Sequence, residues 1–144
     1  IAALKALSEA GIPSGVLIAP IIRTLTDSEM EAILETCRQA GAQWAAYVLL
    51  RLPLEVKDLF KEWLETHEPG KSEHVLSLLR QSHGGKEYDA RYGERMTGKG
   101  HYAEMMAQRF RLACQRLGLN KQHSRLDVTK FRPPANQKAQ LELF

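Results

Sequence analysis

The chain has 144 residues, enough for one domain of ordinary size, and 44% of them are apolar, which is enough for a core. No run approaches the roughly 18 apolar residues that a membrane helix needs, so we expect no membrane partner and a cytoplasmic protein. The net charge of +3 is unevenly distributed, because residues 80–125 carry 10 basic and 4 acidic side chains whereas residues 1–79 have an acidic excess. This basic segment is a candidate surface for an acidic partner such as DNA, with an ordinary solvated face as the alternative.

The first half of the chain alternates helices and strands. Apolar residues at helical spacing predict a first helix that ends at Gly11. Two apolar segments, 15–20 and 45–53, each ending at a proline, are typical of strands buried on both faces. The helix between them starts at Thr26–Glu29, which has the spacing of a capping box, and ends at Gly41. A right-handed crossover would make the strands parallel, as in a β/α barrel or a doubly wound sheet.

The pattern changes after Pro53. Apolar stripes predict further helices, the last of which ends at Gly118, and the final residues have little periodicity. Because only two strands are visible and the chain begins inside a helix, we expect the C-terminal portion of a larger barrel. We divide the chain into the last two β/α units of the barrel (1–53), a helical C-terminal extension (54–120) and an extended tail (121–144).

Candidate ligand-binding residues lie where the predicted strands end, because parallel α/β folds bind ligands at the carboxyl ends of their strands. Arg51 follows the second strand, and a guanidinium in that position can bind a carboxylate or a phosphate. A salt bridge to a nearby acid such as Glu55 is the alternative.

A second candidate site combines aromatic and basic side chains in the glycine-rich segment before the last helix. Stacking together with phosphate neutralisation is how proteins hold single strands and flipped bases. The alternative is that the tyrosines pack beneath the loop while the charges face water. The candidate residues for nucleic acid or substrate are Arg51, Lys86, Tyr88, Arg91, Tyr92, Arg95 and Lys99.

The tail ends in a short motif, Gln140–Phe144, that looks like the bacterial sliding-clamp-binding peptide. Gln140 would make polar contacts with the clamp, while Leu141, Leu143 and Phe144 would fill an apolar pocket. The alternative is that Leu143 and Phe144 fold back on the parent domain.

The two cysteines, Cys37 and Cys114, lie in separate helical patterns. We expect them to be reduced and packed in the core, as is typical of cytoplasmic proteins, with a disulfide or metal site as the alternative.

Several segments together resemble the late barrel of radical S-adenosylmethionine proteins, in particular the group related to spore photoproduct lyase, also described as DNA repair photolyase-like. The resemblance extends to about Asn120. The segments that carry it are Gly11–Pro20, Leu25–Glu29, Tyr47–Val56, Leu78–Arg80, Gly84–Asp89 and Arg109–Cys114.

The resemblance implies a partial (β/α)6 barrel of the TIM type, to which this chain supplies the last two parallel strands. In the family, three cysteines in a Cys-x-x-x-Cys-x-x-Cys loop hold a [4Fe-4S] cluster, which binds S-adenosylmethionine and cleaves it to a radical. That loop is absent here, so we expect this chain alone to bind no cofactor and to be inactive. The residues that the resemblance places beside S-adenosylmethionine are Ala19, Pro20, Leu49 and Arg51.

Two functions therefore compete. The chain is either part of a lyase-like radical S-adenosylmethionine iron–sulfur enzyme, with nucleic acid as a candidate substrate, or a non-catalytic module that binds DNA and a sliding clamp. Its expected partners include the N-terminal remainder of the barrel. Self-association through exposed barrel edges is a further expectation, because unpaired strands and apolar faces favour pairing with another copy.

Overall fold

The computed structural model describes residues 1–82, 96–121, 129 and 131–132. In this part of the chain, five α-helices and two β-strands form a mixed α/β fold, and the predicted order of helix, strand, helix and strand in the first half is confirmed. The elements are α1 (Ala2–Glu9), β1 (Gly15–Ile21), a 3₁₀ turn (Asp27–Glu29), α2 (Met30–Gln39), β2 (Trp44–Leu49), α3 (Val56–His67), α4 (Ser72–Ser82) and α5 (His101–Leu117).

Glycines end three of the helices where the sequence predicts them. At the end of α2, the N–H of Gly41 donates to the carbonyl of Arg38 and the N–H of Ala42 donates to that of Cys37, both at 3.0 Å. This pair of bonds is a Schellman motif, which needs a residue with positive φ, and Gly41 has a φ of +101°. The same pair of bonds ends α1 at Gly11 and α5 at Gly118.

The predicted capping box at the start of α2 is wrong. The Thr26 hydroxyl accepts a hydrogen bond from the Ile22 N–H at 2.9 Å and donates to the Pro20 carbonyl at 3.4 Å. The Glu29 N–H donates instead to the main-chain carbonyl of Thr26, at 3.2 Å. Because the hydroxyl closes the loop after β1, it does not cap the helix, and α2 begins only at Met30, after the 3₁₀ turn.

The two strands pair in parallel, as predicted. Ile18 pairs with Tyr47 and Ile21 with Leu49, so β1 has one residue more than β2 in this interval. The resulting bulge contains Pro20. A proline has no N–H to donate to a ladder and is tolerated at bulges.

One face of the sheet is buried against α2 and α5. The rings of Tyr47 and Phe110 pack there with their centroids 4.8 Å apart. Helix α5, which the sequence places in the C-terminal extension, therefore shares a core with the two strands. The buried residues of this core include Ile18, Ile21, Met30, Leu34, Cys37, Ala45, Leu49, Tyr102, Met106, Ala113 and Cys114.

The prediction that the strands are buried on both faces is wrong for the part of the chain that the structure describes. Leu17 is 61% exposed, and Ala46, which lies opposite it in β2, is exposed as well. Because side chains alternate along a strand, Leu17 and Ala46 mark the face that points away from α2 and α5. The strands are apolar enough for a doubly covered sheet, but the described residues cover only one side.

The outer edge of β2 is closed by the chain itself. The side-chain amide of Asn120 accepts a hydrogen bond from the Ala45 N–H at 2.8 Å and donates to the Ala45 carbonyl at 3.0 Å. Further along the same edge, the Leu49 N–H donates to the carbonyl of Met96 at 2.9 Å. Asn120 thus takes the place of a neighbouring strand. The outer edge of β1 has no such strand partner among the residues that the structure describes.

Helices α3 and α4 pack at the carboxyl ends of the strands. Leu64 of α3 is buried with Val75 and Leu76 of α4, and Ile22, from the loop after β1, packs against them. This cluster fixes the loops that follow the strands. Of the helices in the described part of the chain, none is both long and apolar enough to cross a membrane.

Candidate functional site

A small cleft lies at the carboxyl ends of both strands. The loop after β1, the end of β2, helix α4 and the first turn of α5 form its walls. Its enclosed volume is about 20 Å³, which is room for about one water molecule, whereas ligand pockets commonly enclose about 300–1,000 Å³. This cleft by itself therefore has no room for a nucleotide-sized cofactor. The residues that line the cleft are Ile21, Ile22, Arg23, Leu49, Leu50, Val75, Leu78, Leu79 and Tyr102.

Arg23 and Tyr102 form the polar side of this cleft. The guanidinium carbon of Arg23 lies 4.4 Å from the centre of the Tyr102 ring, a cation–π contact. The Tyr102 hydroxyl donates to Oδ2 of Asp27 at 3.3 Å. Burial raises the pKa of Tyr102 far above its usual value, and the negative charge of Asp27 and its hydrogen bond raise it further. The phenol therefore stays neutral and acts as a hydrogen-bond donor.

The loop between β1 and the 3₁₀ turn has a strained backbone. Thr24 has a φ of +67°, in the left-handed region that β-branched residues rarely adopt. Its N–H donates to Oδ1 of Asp27 at 2.9 Å. Both carboxylate oxygens of Asp27 are thus engaged, one by the backbone of the loop and the other by the ring beneath Arg23. Strain of this kind persists only where surrounding contacts hold it, and it is frequent at functional sites.

An ion pair anchors α5 beside this loop. Arg109 donates from Nε and Nη2 to the Glu31 carboxylate at 2.9 and 2.7 Å, and from Nη2 to the main-chain carbonyl of Asp27 at 3.1 Å. The hydrogen bond from Arg109 lowers the pKa of Glu31, although partial burial opposes the shift. Arg109 belongs to the basic segment 80–125, which the sequence analysis gives as a candidate surface for an acidic partner. The fold instead uses this cation to hold α5 against α2.

The structure brings together only some of the residues predicted to lie beside a cofactor. Leu49 is buried and lines the cleft. Arg51 is partly buried just beyond β2 and interacts with other residues of the chain. Ala19 and Pro20 are exposed on β1 and do not line the cleft. The predicted grouping at the carboxyl edge is thus found for Leu49 and not for the two β1 residues.

The other predicted site residues lie mostly outside the described residues. Lys99 is the exception: it is exposed, precedes α5 and interacts with other residues of the chain. The remaining candidates for nucleic acid, substrate or clamp binding fall outside the described residues, within 83–95 and 133–144, and those interpretations stay predictions. They are Lys86, Tyr88, Arg91, Tyr92, Arg95, Gln140, Leu141, Leu143 and Phe144.

The cysteines do not fit an iron–sulfur cluster. Cys37 on α2 and Cys114 on α5 are free thiols, and both are buried in the core beside the sheet. Burial raises the pKa of Cys114, which disfavours the thiolate that a metal needs. The whole chain has only two cysteines, and the family cluster takes three. Nor do the described residues include a group of three His, Cys, Asp or Glu side chains placed to hold a metal ion.

Sequence reasoning missed Arg23. The rule that selected Arg51, a guanidinium just after a buried strand, applies equally to Arg23, which lies two residues beyond the end of β1. Ile21 and Ile22 continue the apolar run of β1, so the sequence does not show that the strand ends just before Arg23. The contact of Tyr102 with Asp27 spans 75 residues, so no local pattern in the sequence indicates it.

Comparison with known proteins found no family model, no curated protein and no solved structure that matches the chain.

Proposed function

We propose that this chain forms the closing end of a radical S-adenosylmethionine barrel, in the group related to spore photoproduct lyase. The observation that carries the proposal is the difference between the outer edges of the two strands. Asn120 and Met96 close the edge of β2, whereas no described strand pairs with the edge of β1. A sheet with these edges extends only on the β1 side, as the last two strands of a partial barrel would.

The uncovered face supports the same proposal. Leu17 and Ala46 are exposed on the face opposite the helices, which in a barrel is the interior. Parallel strands are normally covered on both faces, so an apolar face of this kind is suited to burial by further barrel strands. The occupant proposed for the β1 edge is the N-terminal remainder of the barrel.

In this proposal the carboxyl edge of the sheet faces the cofactor and the substrate. Leu49 and Arg51 at the end of β2, with Ala19 and Pro20 on β1, would flank S-adenosylmethionine. The space of about 20 Å³ in the cleft at this edge is too small for it, so the remainder of the barrel would supply most of the pocket and the three cluster cysteines. The cofactor would supply a 5′-deoxyadenosyl radical, and nucleic acid is the proposed substrate class.

The test uses the full-length product of the gene that encodes this chain, purified without oxygen and loaded with iron and sulfide. Release of 5′-deoxyadenosine from S-adenosylmethionine is the expected result. We expect Arg51→Gln to lower this release while leaving the cluster absorption unchanged. Arg132→Gln, at an exposed arginine to which no binding role is assigned, is the matched control. A product without a three-cysteine loop, or a fully loaded product that releases no 5′-deoxyadenosine, would refute the proposal.

The second candidate function is binding of DNA and a sliding clamp. Arg111 and Arg116 on α5 are exposed, unlike the ion-paired Arg109, and they favour contact with a polyanion. We expect DNA binding to weaken with added salt and in an Arg111→Ala, Arg116→Ala double variant. Clamp binding should disappear in Phe144→Ala. Binding that is unchanged in each variant would reject the corresponding contact.

Self-association is the competing use of the β1 edge. If a second copy pairs there, the 144-residue chain will sediment as a dimer. Leu17→Lys, on the adjoining exposed face, would then return it to the monomer. If the chain is a monomer at all concentrations, no second copy pairs with the β1 edge, and the remainder of the barrel stays the proposed occupant.

A further inference from the structure

We propose that Arg23 binds an oxyanion, a phosphate or a carboxylate, at the mouth of the cleft. Arg23 follows β1, and its partly buried side chain lines the cleft where the carboxyl ends of the two strands meet. Ligands of parallel α/β folds bind at this edge. The planar guanidinium presents parallel N–H donors that match two oxygens of a phosphate or a carboxylate.

The guanidinium is held in place before any ligand arrives. Its carbon Cζ lies 4.4 Å from the centre of the Tyr102 ring, and the ring is itself fixed by the hydrogen bond from its hydroxyl to Asp27. A cation–π contact uses no oxygen acceptor, so the N–H donors of Arg23 are still available to a ligand. A donor group held in this way loses little conformational entropy when it binds.

No described residue accepts a hydrogen bond from Arg23. The carboxylate of Asp27 is nearby, and its two oxygens accept hydrogen bonds from the Thr24 N–H and the Tyr102 hydroxyl. Arg109, the other guanidinium beside Tyr102, is paired with Glu31. Asp27 and Glu31 thus have partners of their own, and Arg23 lines the cleft without a hydrogen-bond acceptor among the described residues.

Backbone strain next to Arg23 indicates that its position is specified. Thr24 keeps a φ of +67° because Asp27 holds its N–H. A β-branched residue pays conformational strain there that a glycine would avoid. The strained turn and the stack on Tyr102 together direct one cation to one place. An ordinary solvated arginine needs neither contact.

This site does not depend on radical chemistry. Binding can be measured on the 144-residue chain without cluster or S-adenosylmethionine, so a failure here is distinct from a failure of the proposed function. The experiment is a heteronuclear NMR titration of the ¹⁵N-labelled chain. The probes are inorganic phosphate and acetate, with sodium chloride used to hold the ionic strength constant.

We expect saturable shifts of the Arg23 Nε–H and the Thr24 amide with at least one probe. In Arg23→Gln, the affinity for that probe should fall about tenfold or more, because a charged pair of hydrogen bonds is lost. Arg23→Lys keeps the charge without the fork and should also weaken binding, which provides a test should the glutamine variant fold poorly. Arg132→Gln, at an exposed arginine to which no binding role is assigned, is the matched control and should bind as the wild type does.

The preferred probe identifies the source of the anion: phosphate indicates a phosphorylated ligand, and acetate indicates a carboxylate. Two results would overturn the proposal. One is the absence of saturable shifts at Arg23 and Thr24 with both probes. The other is an unchanged affinity in both Arg23→Gln and Arg23→Lys.

Discussion

Asn120 gives the sharpest test of the edge that closes the sheet. Its side-chain amide bonds both polar backbone groups of Ala45, and its N–H donates to the carbonyl of Gln43 at 3.0 Å. The residue also has a φ of +59°, which asparagine tolerates better than most residues. Replacing it with alanine removes the amide and places a less tolerant residue in the same conformation.

The expected loss of stability follows from these contacts. Two hydrogen bonds, at 2.8 and 3.0 Å, disappear, and each contributes about 1 kcal/mol net. Ala45 is 8% exposed, so its unpaired N–H and carbonyl add about 1 kcal/mol. We expect Asn120→Ala to lower the free energy of unfolding by about 3–4 kcal/mol, of which about 1 kcal/mol is strain at positive φ. Asn120→Gly avoids this strain and should lose about 1 kcal/mol less.

Urea unfolding followed by tryptophan fluorescence measures these differences, since Trp44 adjoins Ala45. Gln108→Ala, at an exposed position on α5, is the control and should change the free energy of unfolding by less than about 0.5 kcal/mol. An Asn120→Ala variant as stable as this control would refute the closing role of the amide. A glycine variant less stable than the alanine variant would refute the assignment of strain.

Two further predictions concern the ion pair and a helix end. Because Arg109 lowers the pKa of Glu31 in the folded state, this carboxylate stabilises the fold above the ordinary glutamate pKa of about 4.3, and that contribution is lost as the pH falls through the lowered value. The Glu31→Gln variant should therefore have a lower free energy of unfolding than the wild type at pH 7, and it should lose less of that free energy on acidification. Equal losses in the two proteins between about pH 7 and pH 3 would contradict this. Gly41→Ala should destabilise more than Gly11→Ala in thermal unfolding. Both glycines have positive φ, but only at Gly41 would the added carbon collide with the side chain of Ser8. Equal losses of thermal stability in the two variants would show that the Ser8 side chain moves aside at no cost.

The candidate site shows how far a rule about strand ends can be taken. The rule directs attention to the carboxyl edge, where Leu49 and Arg23 lie beside one small cleft. It does not predict which cation stacks on an aromatic ring. Nor does it predict that Ala19 and Pro20 are exposed on β1 and lie outside the cleft.

The sequence by itself determined the features that depend on neighbours along the chain. Glycines at positive φ end the helices, and apolar runs bounded by proline and glycine form the strands, because these preferences act within a few residues. Tertiary structure decided which partner each polar side chain takes. Thr26 closes a loop instead of capping a helix, Arg109 pairs with Glu31 across 78 residues, and Asn120 reaches Ala45 across 75. A hydroxyl, guanidinium or amide can bond many partners equally well, and only the packing of α5 against α2 and the sheet brings one partner within reach.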